Sequence, residues 1–109
     1  MSLDTLKERW ESLEKVSFPE TLIGKRPGGE NLLLLESDLG AAILAVVFSE
    51  GKPSSRTLLT LDQKIDSLKK ALPEVEQGDS RKYFDELLAL SELARSVSAP
   101  RQSQLDKKE

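Results

Sequence analysis

Apolar residues are distributed along this chain in three stretches of different rhythm. Leu3, Leu6, Trp10, Leu13 and Val16 recur at steps of three and four. That spacing predicts an amphipathic helix that ends no later than Pro19. Ser2 is placed to cap it, and Asp4 to complement the positive end of its dipole. From Asn31 to Ser49 the sequence is almost continuously apolar, broken only by Glu36-Ser37-Asp38 and Gly40. Helical spacing then returns. Thr60-Leu61-Asp62-Gln63 fits a capping box, followed by a face of Leu61, Ile65, Leu68 and Leu72 with Asp66 and Lys70 paired behind it. Pro73 stops or kinks that helix, Gln77-Gly78 is a turn, and Asp79 or Ser80 caps a last helix that ends near Ala99-Pro100.

The middle stretch is the informative one, because a continuous apolar run has neither a helical nor an alternating period. Leu32–Glu36 and Ala42–Ser49 read as two buried strands joined by Ser37-Asp38-Leu39-Gly40. A buried helix over Leu39–Phe48 competes. Ile43, Val46, Val47 and Phe48 favour strand, and Glu50-Gly51-Lys52-Pro53 closes the run with turn residues. Thr21-Leu22-Ile23 reads as a short edge strand, and 56–60 is left open as another. The fold expected is therefore a single α+β domain over residues 1–99. It has an N-terminal helix, a two- or three-stranded antiparallel sheet, and a C-terminal helix pair packed on one face. Residues 100–109 are polar and aperiodic and read as a mobile tail.

Composition narrows the function more than it defines it. The 109 residues carry no cysteine and no histidine. Disulfides, thiolate chemistry and Ser-His-Asp or Cys-His arrangements are thereby excluded within the chain. The net charge of −3 is spread evenly: residues 1–30 hold 5 basic and 6 acidic groups, 31–60 hold 2 and 3, and 61–109 hold 9 and 10. Without a basic stripe, nucleic-acid binding is not expected. The longest apolar run, Leu39 to Phe48, is half of what a membrane helix needs, and the N-terminus is not a signal peptide. A cytoplasmic, soluble protein is expected, with no catalytic residues, metal or cofactor.

Few residues are candidates for function. Lys25, Arg26, Gly28 and Gly29, within the Gly24–Gly29 loop, have the ingredients of a weak anion site, since glycines let backbone N–H groups approach a ligand. The loop lacks the glycine spacing and terminal Lys-Ser/Thr of a Walker loop. Glu36 and Asp38 at the proposed hairpin tip, with Glu50 at its far end, read as turn formers and not as a metal or acid–base pair. Asp62 and Asp66 share a helix face with Lys69 and Lys70 close enough to neutralise them. Trp10 belongs by its spacing to the core.

The last helix has more apolar width than one buried face requires. Tyr83, Leu87, Leu90, Ala94 and Val97 make one seam, and Phe84, Leu88 and Ser91 a second beside it. One seam can be buried inside and the other left for another chain. The function expected is thus a non-enzymatic interaction or regulatory module. It would bind itself, as a homodimer, or a protein partner through Tyr83, Phe84, Leu87, Leu90 and Ala94. The alternative is a small-ligand or anion-binding domain using the glycine-rich loop. The order helix, strands, helices looks like that of secretion chaperones and toxin-immunity proteins. This is a likeness of architecture only, and it assigns no family.

Overall fold

The computed structural model describes residues 3–16 and 29–98. Every regular element among them is helical: α1 (Leu3–Glu14), α2 (Leu32–Phe48), α3 (Ser55–Ala71) and α4 (Asp79–Val97). A 3-10 turn at Leu72–Glu74 takes up Pro73, whose missing N–H is tolerated in a first turn. The expected α+β fold is therefore wrong. No sheet is present among the described residues, and the likeness to secretion chaperones and immunity proteins, which needed one, falls with it. Residues 21–23 lie outside the described part, as do residues 99–109, and 56–60 belong to α3.

What was read as a hairpin is the single helix α2. Asn31 starts it, its Oδ1 accepting from the N–H groups of Leu33 and Leu34 at 3.1 and 3.3 Å. Ser37-Asp38-Leu39-Gly40 is not a turn but the second and third turns of the helix. The chain leaves α2 through a Schellman motif. Glu50 N–H donates to Val47 O at 3.1 Å and Gly51 N–H to Val46 O at 2.9 Å, with Glu50 in the left-handed region at φ 56°. The physical reason is backbone accounting. A two-stranded hairpin leaves unpaired edges and is marginal alone, whereas a helix rich in leucine and alanine satisfies its backbone internally. The β-branched Ile43 and Val46 lose little by this, because both are fully buried and packing decides their state.

The other helices lie close to their expected places. α1 buries Leu6, Trp10 and Leu13, while Val16 lies beyond its end and is exposed. α3 begins at Ser55 rather than at Thr60, because Ser54 supplies the cap, accepting from Thr57 N–H at 3.2 Å. Gly78 precedes α4 without a side-chain cap.

Successive helices run antiparallel. Trp10 meets Gly40 and Leu3 meets Gly51 between α1 and α2. Asp38 pairs with Lys64 at 3.5 Å between α2 and α3, and Lys69 with Glu92 at 3.1 Å and Asp62 with Arg95 at 2.8 Å between α3 and α4. Arg9 holds Glu86 through two nitrogens at 2.9 and 3.1 Å between α1 and α4. The result is an up-and-down four-helix bundle whose diagonal, α2 against α4, is in contact. At the α1–α2 crossing the Trp10 ring lies so close to Gly40 that a Cβ there would sit 2.8 Å from Cη2. Trp10 is buried, as its spacing implies, and its indole nitrogen has no hydrogen-bond partner among the described residues.

Candidate functional site

α4 packs against all three other helices, and its width is used internally. Tyr83, Phe84, Leu87, Leu90 and Ala94 are all buried, at 0 to 7% exposure, because α4 touches α1, α2 and α3 together. Both seams read from the sequence therefore face neighbours within the chain. Ser91, in the second seam, is buried too, its hydroxyl donating to Leu87 O at 2.8 Å.

The surplus apolar surface lies on α2 instead. This helix has only three polar positions in 17, Glu36, Ser37 and Asp38. A helix apolar all round is normally buried all round, yet α2 is covered on one side only. Leu32, Leu35, Leu39, Ala42, Ile43 and Val46 face the core. On the other side Leu33 is 48% exposed, Leu34 60% and Phe48 78%, with Ser37 and Ala41 exposed and Leu44, Ala45 and Val47 half-buried between them. At helical spacing Leu34, Ser37, Ala41, Ala45 and Phe48 form one stripe along the outside of the helix. Leu59 of α3 is also exposed, but it stands alone among polar neighbours.

The carboxylates do not converge. Glu36 turns toward α4, where its Oε2 accepts from the Tyr83 hydroxyl at 3.3 Å. Burial, with the Glu36 charge and this hydrogen bond behind it, pushes the Tyr83 phenol up to about 12, so it stays protonated at neutral pH. Asp38 turns to the opposite flank and Lys64, and Glu50 lies about 20 Å further along α2. Among the described residues no three acidic side chains gather in a set able to hold a metal ion. Asp62 and Asp66 are neutralised, by Arg95 and, as expected, by Lys70 at 3.1 Å. Lys25, Arg26 and Gly28 of the proposed anion loop lie outside the described residues, and Gly29 is exposed with φ 82°.

Two depressions accompany these surfaces. A cleft of about 430 Å³ opens between α1 and the start of α4, walled by Leu13, Val16 and Tyr83 and rimmed by Asp79, Lys82 and the Arg9–Glu86 pair. Within it Arg9 and Glu86 hold each other as an ion pair, and the Tyr83 phenol, pushed up to about 12, forms part of the wall. A smaller groove of about 260 Å³ runs between α2 and α3, along Asp38, Ala41, Ala42, Arg56, Thr57 and Thr60. It borders the apolar stripe directly.

The sequence did hold the signal for α2. Leu33, Leu34, Leu44 and Phe48 are surplus to one helical face once the run is read as a helix. Reading it as a hairpin assigned both faces to the interior and hid the excess. No helix among the described residues is long and apolar enough to cross a membrane. Comparison of the chain with protein-family models, curated proteins and solved structures finds no match.

Proposed function

We propose that the protein is a non-enzymatic interaction module whose contact surface is the outer face of α2. The observation that carries this reading is the exposure of Leu34 and Phe48 at the two ends of a helix that is apolar on every side. Isolated exposed leucines are ordinary on a protein surface, but Leu34 and Phe48 lie on one helix stripe with the small residues Ser37, Ala41 and Ala45 between them and Leu33 beside it, and such a continuous weakly polar face favours the docking of another surface. The chain also holds neither histidine nor cysteine, and its candidate acidic groups are dispersed: Glu36 meets Tyr83, Asp38, Asp62 and Asp66 pair with cations, and Glu50 stands apart at the end of α2.

The test separates a contact surface from a misread core. Replacing Leu34 and Phe48 together with serine removes apolar area that the isolated fold does not use. At dilute concentration the double variant is expected to keep its helical circular dichroism and to melt within about 2 °C of the parent, as surface changes generally do. Binding of a fluorescent apolar-surface dye is expected to fall. A cooperative loss of stability in the variant would show that both side chains belong to the core, and undiminished dye binding would place the exposed surface elsewhere. Either result removes this reading.

A further inference from the structure

We infer that the occupant of the α2 outer face is the same face of a second copy of this chain, packed antiparallel about a twofold axis at Ala41. The inference rests on the preceding reading of α2 as the contact surface and adds the identity of the partner. A twofold interface brings each surface against itself, so it must be self-complementary. The stripe has that property. Its members Leu34, Ser37, Ala41, Ala45 and Phe48 are separated by steps of 3, 4, 4 and 3, which read the same in both directions. Sizes follow the same order: large side chains at both ends and three small ones at the centre. Small central residues let two helix backbones approach closely, and reversal of one helix then sets Phe48 of each copy against Leu34 of the other. Leu33 and Leu44 widen the contact on the α1 side.

Charge on the other flank fits the same register. Among the described arginines, Arg9, Arg81 and Arg95 each hold a carboxylate of their own chain, whereas Arg56 is exposed and takes part in none of these ion pairs. Arg56 is eight residues before Lys64 on α3, and Lys64 is level with Asp38. Because α3 runs against α2, Arg56 lies about 12 Å past Asp38 toward the C-terminal end of α2. The twofold at Ala41 reverses α2 but keeps the two α3 flanks on the same side. It therefore carries Arg56 of each copy to within about one helical turn of Asp38 of the other, inside the reach of an arginine side chain. Two such symmetric pairs across the groove fix register more than they add affinity. Leu34 and Phe48 supply the attraction. The face of one helix about 25 Å long is smaller than the roughly 800 Å² per partner of a standard interface. The groove flank of Thr57 and Thr60 adds to it, and a dissociation constant on the order of 10–100 μM is expected.

Sedimentation equilibrium on the full chain between about 1 μM and 1 mM spans this range. The expected result is a mass that rises with concentration from 12.1 kDa toward twice that value. Ala41→Glu places two like charges on the axis and is expected to weaken association at least about tenfold without unfolding the exposed site. Register is read by cross-linking, because the chain has no cysteine of its own. Ala41→Cys is expected to oxidise to a covalent dimer and Leu34→Cys alone not to, while a mixture of Leu34→Cys and Phe48→Cys chains, whose mixed dimer keeps one Leu34–Phe48 contact intact, does. A chain that stays monomeric at about 1 mM overturns the second copy as partner, and the dye and stability test of the α2 surface then stands separately. A dimer that ignores Ala41→Glu overturns both readings. A dimer that depends on Ala41 but cross-links through Leu34→Cys alone overturns the antiparallel register.

Discussion

Gly40→Ala tests the tightest contact in the bundle, because two opposing effects of similar size meet at one methyl group. In the interior of a helix alanine is favoured over glycine by about 1 kcal/mol. At this position, however, the new Cβ would lie 2.8 Å from Trp10 Cη2 and 3.2 Å from Cζ2. Ordinary contact begins near 3.4 Å, so α1 and α2 must part by about 0.6 Å at their crossing. Trp10 cannot yield by rotating, since its ring is rigid, 6% exposed and enclosed by the core. Overpacking of this kind costs about 1–3 kcal/mol. Subtracting the gain in helix propensity leaves a net loss of about 1 kcal/mol, or a fall in melting temperature of about 4–8 °C. Urea denaturation followed by circular dichroism measures it. The same substitution in a Trp10→Phe background should change sign, because the phenyl ring lacks the atoms that collide. There it should stabilise by up to about 1 kcal/mol, for a coupling of about 2 kcal/mol. Stabilisation of the parent chain by Gly40→Ala, or an equal cost in both backgrounds, would refute the contact.

Further outcomes follow from the same structure. Tyr83 is the single tyrosine, so the tyrosinate ultraviolet band titrates it alone, and its midpoint is expected near 12 in the folded chain. With the folded value raised above the ordinary value of about 10, its contribution to stability is complete below pH ~10 and lost as pH rises toward 12. Tyr83→Phe should flatten that alkaline limb of the stability profile, and an unchanged limb would contradict the burial of Tyr83 beside Glu36. Glu50→Gly relieves a left-handed residue at the end of α2 and should stabilise by about 1 kcal/mol in a denaturant titration. A loss of stability there would mean that the Schellman exit from α2 is wrong.

The sequence by itself determined, for three of the four helices, roughly where they stop and which face is apolar, though not where α3 starts. The spacing of Leu6, Trp10 and Leu13, the stop at Pro73 and the turn at Gln77-Gly78 are local signals that appear where local chemistry puts them, and α4 ends at Val97, just short of the Ala99-Pro100 stop. The sequence suggested a surplus of apolar width but put it on the last helix, where Tyr83, Phe84, Leu87, Leu90 and Ala94 are buried. Two matters belonged to tertiary structure. A run such as Leu39–Phe48 has no period that distinguishes strand from helix, so its state depends on which arrangement satisfies the backbone and finds neighbours. The place of the surplus depends on neighbours as well. α2 and α4 each touch the other three helices, but on α4 these neighbours cover both seams, while on α2 they leave Leu34 and Phe48 uncovered. Thirty positions separate Trp10 from Gly40, and nothing near either residue marks their meeting. It exists only because packing α1 across α2 requires one position without a side chain, a requirement set by the crossing of two helices and not by the local sequence of either.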